Sequence, residues 1–314
     1  ITFSPSRNEN AVSENLIEKL SGFFVANGFN EIVTNSLTNV AYFSEEEIKN
    51  AAQPLNSLSN ELNILKPNML PTALEAISFN TKRKMQNIKF FELGKTYCQP
   101  GKKYAEAEHF CVYVSGFDVR NDWHASSRQV DLYDIKGFIQ AMGDVCGIKK
   151  ISIENPGIGY FGKRFEMVSN KICLGKMTFV NEDYLKKFDI TQPVYFIDFL
   201  VEPILEIIKK QTITYSEIPK YPTASRDLAI LTKEQTSYAQ VEDAVLKLGI
   251  STLQEVHLFD VFRSEKLGDG KKSYAVNFTF CDAEKTMTDN TIDKTMQQII
   301  QAIEMETGSE IRKS

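Results

Sequence analysis

Near the end of the 314-residue chain, a carboxylate and an aromatic ring fall on the same face of a predicted strand. Because side chains alternate between the faces of a strand, Asp260 and Phe262 share one face, and Phe259 and Val261 share the other. Single-stranded RNA bases are read by stacking and by hydrogen bonds to their edges, and a carboxylate can accept from guanine. The pair therefore indicates a candidate RNA-base site. An ordinary solvated face with one exposed aromatic is the alternative.

The next predicted strand, residues 272–281, alternates between apolar and polar side chains. Its aromatic and aliphatic set is predicted to meet the helices, and its small polar set, Ser273, Ala275, Asn277 and Thr279, to continue the open face. Lys271 and Lys272 lie beside the predicted hairpin loop 268–270, where they could flank an RNA backbone.

A glycine motif in the middle of the chain has the composition of a cofactor site without its context. Residues 157–162 match G-x-G-x-x-G. The dinucleotide fingerprint needs a strand before the motif and a helix after it. Here Asn155-Pro156 precedes the motif and a strand pattern follows it. We predict a glycine-rich loop that does not bind a cofactor.

The histidines and the main basic run carry little chemical signal. His109, His124 and His257 lack metal-ligand spacing and a nucleophile motif, so we interpret them as surface or strand histidines. The run Lys82-Arg83-Lys84 could touch phosphate, but a solvated helix end is the simpler interpretation.

The elements that position the candidate site form a clear series. The last hundred residues predict strand, helix, strand, strand, helix and strand, in the order of a ferredoxin-like βαββαβ unit. The predicted elements are strand 228–231, a helix from Ser237 to Gly249, strands 254–263 and 272–281, helix 289–306 and edge strand 309–312.

The preceding residues predict an α+β domain on an antiparallel sheet, because helices lie outside a run of mostly sequential strands. A polar, irregular segment at 211–222 indicates a boundary, giving domains 1–210 and 218–314. The upstream helices are predicted at 11–28, from Pro71 through Ser78, and at 131–146, and the strands at 31–37, 89–97, 110–115, 164–168, 172–180 and 194–201.

Bulk composition excludes several classes of protein. With 42% apolar and 25% charged residues, the chain can form a packed core. The net charge of −5 does not indicate a nucleic-acid partner, although a few suitably placed side chains can still recognise one. Five widely spaced cysteines without a C-x-x-C pair indicate a reducing cytoplasm rather than a disulfide framework or zinc site. No apolar run is long enough to span a membrane.

Four ordered motifs near the end of the chain together resemble one known family. They resemble the ferredoxin-fold anticodon-binding domain that closes the large (beta) chain of bacterial phenylalanyl-tRNA synthetase. The motifs are YPTASRDLA at 221–229, LFDVFR at 258–263, GKKSYA at 270–275 and KTMTD at 285–289.

The upstream part looks like the catalytic-like module of the same chain. The resemblance implies a class II synthetase-like antiparallel sheet domain followed by the ferredoxin-like domain. It also leads us to expect a fragment, since the chain begins at Ile1. The upstream motifs are ANGFNEI at 26–32, LKPNMLP at 65–71, NIKFFELG at 87–94 and DLYDIKG at 131–137.

The family implies an α2β2 heterotetramer that charges tRNA(Phe) with phenylalanine, using ATP and Mg²⁺, in the cytoplasm. The partners so implied are the catalytic alpha subunit and tRNA(Phe), with no membrane and no DNA. This segment is expected to be non-catalytic and to bind no cofactor itself. A class II site holds ATP phosphates with arginines, but its second-motif analogue here is Phe90-Phe91-Glu92, and no glycine-rich arginine motif accompanies Glu202-Pro203.

The resemblance also assigns residues. It implies that Asp260, Phe262 and Ser273 contact the anticodon guanine, with Phe262 standing where the family often has tyrosine. Arg226 of the entry motif either touches the RNA backbone or fixes Asp227. Helix 11–28 and the strand after it look like the subunit-contacting first class II motif, in which Asn35 replaces the family's proline.

Two alternatives belong to other functional classes. A free-standing regulatory protein could use the ferredoxin-like domain to sense a small molecule such as an amino acid. An active class II ligase is the other, and the missing arginines argue against it.

Overall fold

The chain divides into two compact units, Ile1–Thr212 and Ile213–Ser314. A computed structural model describes residues 11–56, 59–101, 103–118, 123, 126–212, 215, 217–264, 267–268 and 270–312. His124, and Asp269 of the predicted hairpin loop, lie outside these described residues.

The first unit combines helices with one large sheet, which confirms the α+β prediction. Its helices are α1 Ala11–Ala26, α2 Glu45–Lys49, α3 Leu70–Thr81, α4 Leu132–Val145, α5 Glu182–Lys186 and α6 Val201–Lys210, with a 3-10 turn at Val40–Tyr42. Its strands are β1 Asn30–Glu31, β2 Leu37–Thr38, β3 Ile64–Leu65, β4 Ile88–Cys98, β5 Ala105–Ser115, β6 Ser152–Gly159, β7 Gly162–Ser169, β8 Ile172–Val180 and β9 Val194–Leu200.

The large sheet has the strand order β1-β4-β5-β9-β8-β7-β6. Its neighbours pair antiparallel except β1, which runs parallel to β4. The sheet is therefore mixed, and the prediction of an antiparallel sheet is wrong at this edge. The parallel pair is possible because a long connection, residues 32–87, which includes α3, returns the chain to the same end of the sheet between β1 and β4.

Helices cover both faces of this sheet. On one face, apolar residues of α1, α4 and α6 pack against Phe110 and Val112 of β5. On the other, α3 and α5 pack against Cys111 and Tyr113 of the same strand. This double burial explains why residues 110–115 form one continuous buried run rather than an alternating pattern.

The strand predicted at 31–37 is wrong for most of its length. Only β1 joins the large sheet, and its ladder ends after the Ile32 N–H donates to the Phe91 carbonyl. The Thr34 N–H donates instead to Oε1 of Glu92 at 2.9 Å. This side-chain acceptor replaces a ladder partner, so the chain leaves the sheet, and β2 pairs with β3 in a separate two-stranded sheet.

The glycine motif is a hairpin rather than a loop. Gly157 and Gly159 lie within β6, and Gly162 begins β7, to which β6 pairs antiparallel. The prediction of a glycine-rich loop is therefore wrong about its conformation. Asn155 and Pro156 lie within an irregularity of the pairing, between Glu154 and Gly157, and this irregularity interrupts the alternation pattern by which a strand is predicted.

The second unit confirms the ferredoxin-like prediction. Its strand order, β11-β12-β10-β13, places the first and third strands side by side at the centre of an antiparallel sheet. The elements are β10 Ala224–Lys233, α7 Tyr238–Leu246, β11 Leu253–Phe262, β12 Lys271–Phe280, α8 Asp289–Thr307 and β13 Glu310–Ile311.

Both helices of the second unit lie on one face of its sheet. The buried side chains of α8, among them Ile292, Ile299 and Ile303, pack with Val241 of α7 against Phe278 of β12. Gly308 adopts a positive φ of 63° and ends α8, as glycine readily does after a helix. The opposite face carries no helix among the described residues.

None of the helices in the described part of the chain combines the length and apolar character needed to cross a membrane.

Candidate functional site

The open face of the second unit brings together three of the four residues predicted to form the site. Across the antiparallel pair of β11 and β12, Asp260 faces Ala275 and Phe262 faces Ser273. Residues directly opposite in such a pair project to the same face, so Asp260, Phe262 and Ser273 are neighbours on it. The predicted shared face of Asp260 and Phe262 is confirmed.

These residues differ in how accessible they are. Asp260 is exposed, and 48% of Phe262 is accessible to solvent. Ser273 is only 5% exposed, because it lies on a central strand between Leu231 of β10 and Phe262 of β11. The carboxylate and the ring are thus open to a ligand, whereas Ser273 forms the floor between them.

A bulge in β11 shapes this surface. The pairing with β12 shifts between Leu258 and Asp260, which leaves Phe259 as an extra residue. Every residue from Phe259 to Phe262 is exposed as a result. The strand beyond the bulge presents its side chains to solvent rather than to the helices.

The Asp260 carboxylate makes no hydrogen bond or ion pair within the described part of the chain. The Ser273 hydroxyl likewise makes no hydrogen bond to another described residue. By contrast, the amide of Asn277 on the same face donates to Oγ of Ser225 and to Oδ1 of Asp227, both at 2.6 Å. The Asn277 amide therefore already has hydrogen-bond partners within the protein.

Arg226 is not brought to this face. It pairs with Phe278 in the ladder and so lies on the helix side of β10. Its Nη2 contacts Oδ1 of Asp289 at 2.5 Å, and its Nε lies 3.9 Å from Asp293. Arg226 thus links β10 to the first turns of α8, and its contacts do not include the predicted one to Asp227.

Two lysines lie on the open face near Phe262. Lys271 faces Lys233 across the β10 and β12 ladder, two residues along from Ser273. Lys272 points to the other face, where it is buried and its Nζ donates to the Glu234 carbonyl at 2.7 Å. Lys271 therefore shares the open face with Lys233 rather than with Lys272, and its Nζ lies 3.9 Å from Oε2 of Glu310.

The first unit contains a cleft of about 730 Å³ on the face of its sheet that α3 and α5 share. Its walls include His109 of β5, Asp198 of β9, Lys176 of β8 and Arg164 of β7. Gly175, also in the wall, has a φ of 150°, and a side chain there would collide with the backbone carbonyl of Asp198. Glycine thus allows β8 to pass close to β9 beneath the cleft.

His109 is a buried strand histidine with defined partners. Its Nδ1 lies 2.6 Å from Oδ1 of Asp198, and its Nε2 lies 2.8 Å from Oγ1 of Thr96. The Cys111 thiol lies 3.6 Å from the same Asp198 oxygen. Burial, reinforced by the negative charges of Asp198 and Glu92, raises the pKa of the Cys111 thiol well above its usual value.

Glu92, which ends the predicted analogue of the second class II motif, forms a buried ion pair. Oε1 of Glu92 lies 3.3 Å from Nζ of Lys66, and the two side chains are 1% and 2% exposed. The Thr34 hydroxyl donates to the same oxygen at 2.7 Å. Oε1 of Glu92 is therefore fully used by contacts within the fold. Its Oε2 is buried without a hydrogen-bond partner among the described residues.

The basic run at the end of α3 behaves as a helix end. Lys82 pairs with Asp189 at 2.7 Å, and the guanidinium of Arg83 lies 3.3 Å above the ring of Phe79. His257 lies on the open face of the second unit, opposite Asn277.

Two protein-family models match the chain. "Phenylalanyl tRNA synthetase beta chain CLM domain" matches residues 3–201, and "Ferredoxin-fold anticodon binding domain" matches residues 219–312. Among solved structures, a pyrrolysyl tRNA synthetase of Desulfitobacterium hafniense is 17% identical, with a TM-score of 0.49 over 62% of this chain and 66% of that one. A score this low adds no argument about the fold.

Curated relatives carry the name "Phenylalanine--tRNA ligase beta subunit". The protein of Bacteroides fragilis is 32% identical over 305 residues, which are 91% of this chain and 37% of the relative. That of Bacteroides thetaiotaomicron is 30% identical over 322 residues, which are 98% of this chain and 39% of the relative. The chain thus spans well under half the length of these relatives.

Proposed function

The chain belongs to the phenylalanine–tRNA ligase beta-subunit family, and on that premise we propose that its second unit recognises the anticodon of tRNA(Phe). We further propose that its first unit assembles with the catalytic alpha subunit in an α2β2 enzyme of the cytoplasm. In this proposal, ATP and Mg²⁺ act at the alpha subunit. The observation that carries the proposal is the free Asp260 carboxylate beside the exposed ring of Phe262.

The ring of Phe262 provides a stacking platform. Asp260 lies two residues away on the same face, about 7 Å along the strand. A base stacked on the ring would therefore extend its edge toward the carboxylate. Stacking alone tolerates any base, because every base has a π-face.

Asp260 supplies the selectivity. An ionised carboxylate only accepts hydrogen bonds, and it can accept two at once. Guanine presents two neighbouring donors, N1–H and N2–H, on its pairing edge, whereas each of the other bases has only one donor group there, next to an acceptor. The free carboxylate therefore favours guanine over adenine at the stacked position.

Lys233 and Lys271 supply the cations that an acidic chain must place locally. They face each other across the ladder on the open face, at the same end as Phe262. Contacts to phosphate position an RNA without reading its sequence, so these lysines complement the base contacts. The internally bonded group of Asn277, Asp227 and Ser225 lies toward the other end of the face.

The first unit supports an assembly role rather than catalysis. Where the resemblance expects an arginine for the ATP α-phosphate, Glu92 is buried in an ion pair with Lys66, so this pair offers no free cation to a phosphate. This arrangement disfavours the active class II ligase. Membership of the beta-subunit family favours the synthetase function over the free-standing amino-acid sensor.

The test compares two carboxylates of the same face. Asp260→Asn should weaken binding of the tRNA(Phe) anticodon stem-loop about tenfold, within the 1–3 kcal/mol that a bidentate base contact contributes to discrimination. Binding of a stem-loop with adenine at the first anticodon position should not change. The matched control, Glu255→Gln, alters an exposed carboxylate opposite Thr279 at the far end of the face.

Binding is measured by titration of the full chain at several salt concentrations, because phosphate contacts make affinity salt-dependent. Equal losses for both stem-loops, or no loss, would remove Asp260 from guanine recognition. The assembly proposal is tested separately by copurification of the tagged chain with the alpha subunit of the same bacterium. Failure to copurify under conditions where the chain is folded would contradict it.

A further inference from the structure

Three side chains of different chemistry meet at the cleft of the first unit. They are His109 and Cys111, which lie on the same face of β5, and Asp198 of the neighbouring strand β9. One ligand atom from each lies within 4.8 Å of the other two. His109 and Asp198 line the cleft, and Cys111 lies directly opposite Asp198 in the ladder.

We infer that His109, Cys111 and Asp198 form a binding site for a single Zn²⁺ ion. A mixed nitrogen, sulfur and oxygen donor set suits zinc, which accepts imidazole, thiolate and carboxylate in tetrahedral sites. The magnesium that the wider enzyme uses prefers oxygen ligands alone and would not select this set.

The distances are close to those of a zinc site. Donors 2.0–2.3 Å from a tetrahedral zinc ion are about 3.5 Å apart for sulfur and oxygen and about 3.3 Å apart for nitrogen and oxygen. The Cys111 sulfur and Asp198 Oδ1 lie 3.6 Å apart, and His109 Nδ1 and the same oxygen lie 2.6 Å apart. The site therefore needs His109 and Asp198 to separate by about 0.7 Å as the ion replaces their hydrogen bond.

The second ring nitrogen of His109 already has the partner that a metal-bound histidine needs. Nε2 lies 2.8 Å from Oγ1 of Thr96 on β4. With Nδ1 bound to zinc, Nε2 carries the proton and donates it to this hydroxyl, which fixes the tautomer and the ring plane. Thr96 is thus a positioning residue for the site.

The charges of the three ligands match that of the ion. Lys176, also in the cleft wall, faces Asp198 across the β8 and β9 ladder, so the ion would bind beside this lysine. Zinc binding releases the Cys111 proton to solvent, and the resulting thiolate, carboxylate and neutral imidazole balance the dipositive ion.

The cleft leaves one coordination position open. Three protein ligands and one exchangeable position are typical of zinc sites that hold water or a small ligand. The cleft of about 730 Å³ provides both the entry path and the space for that fourth ligand.

The experiment uses the full chain, stripped with a chelator and titrated with Co²⁺ as a spectroscopic substitute for zinc, then with Zn²⁺. We expect one cobalt per chain, with the sulfur-to-cobalt charge-transfer absorption of a thiolate ligand, displaced by Zn²⁺. Zinc should also raise the Tm, because an ion that binds only the folded state stabilises it.

Matched cysteine variants locate the ligand. Cys111→Ser should abolish the absorption, whereas Cys146→Ser, at a buried thiol beside Met142, and Cys98→Ser, at a thiol in the cleft wall, should retain it. Thr96→Val should weaken zinc binding at least tenfold while leaving the sulfur-to-cobalt absorption in place at saturation. Each variant is checked for its fold by circular dichroism before titration.

Three results would overturn the inference. They are the absence of a bound metal in the folded wild-type chain, an absorption that survives Cys111→Ser, and one that is lost in Cys98→Ser instead. Because none of these measurements involves RNA or the alpha subunit, their outcome is independent of the proposed function.

Discussion

The two sheets of this chain differ in how many of their faces are covered. In the first unit helices pack on both faces, and charged side chains such as Lys66 and Glu92 are bonded to each other within the fold. In the second unit helices cover one face, and on the other Asp260 keeps a free carboxylate beside the exposed ring of Phe262. The two sheets thus differ in whether these charged side chains need a partner within the fold.

Desolvation of the carboxylate explains why the buried Glu92 needs partners and the exposed Asp260 does not. A buried carboxylate without a partner is costly, so Glu92 requires Lys66 and Thr34. Asp260 is solvated and needs no internal partner, and it can exchange water for an RNA base without disturbing the core.

The largest expected effect comes from breaking the buried pair. Lys66→Met leaves Glu92 uncompensated and should lower the free energy of unfolding by about 3–5 kcal/mol, as measured by urea denaturation. Lys95→Met, which removes an exposed lysine 3.0 Å from Glu106, should have a much smaller effect. The double variant Lys66→Met/Glu92→Leu should recover most of the loss. Equal effects of the two lysine substitutions would contradict the contrast between buried and exposed charge.

The next effect concerns the exposed ring. Phe262→Ala should weaken binding of the anticodon stem-loop by about 1–3 kcal/mol with either guanine or adenine at the first anticodon position, because stacking tolerates any base. Phe262→Tyr should preserve binding, since it retains the ring. Phe259→Ala, at an aromatic of similar exposure on the bulge, is the control. A loss confined to guanine would mean that Phe262 positions Asp260 instead of stacking.

The smallest effect is expected at Arg226. Its ion pairs with Asp289 and Asp293 are on the helix side of the sheet and partly exposed, so Arg226→Ala should cost no more than about 1 kcal/mol of stability. Binding of the stem-loop, measured by titration at one fixed salt concentration, should remain unchanged. A clear loss of affinity, with the fold intact, would restore the predicted contact between Arg226 and the RNA backbone.

Local periodicity was sufficient to predict most of the second unit. In β12 strict alternation separated the core face from the open face, and in α8 buried residues recur at helical spacing. Because register in a hairpin follows from this alternation, the shared face of Asp260 and Phe262 could also be predicted. The burial of Ser273 could not, since it depends on both neighbouring strands.

The sequence-based predictions that were wrong for the first unit failed because of contacts between residues far apart in the chain. Glu92 ends the ladder of β1 by accepting from Thr34, 58 residues away, and His109 meets Asp198 across 89 residues. No spacing rule within a single strand reports such pairs. The helix α6, in contrast, had a usable signal that was missed: Pro203 in the first turn, apolar residues at Ile204 and Ile207, and lysines in the last turn.

The bulge in β11 has a consequence for how copies of this chain behave toward one another. Because β11 is an edge strand of ten residues, its outer backbone groups could template a strand from a second molecule. The extra residue at Phe259 interrupts the regular row of donors and acceptors and increases the local twist. We expect this interruption to oppose pairing of the edge that displays Phe262 with a second molecule, so a variant without the bulge should self-associate more readily.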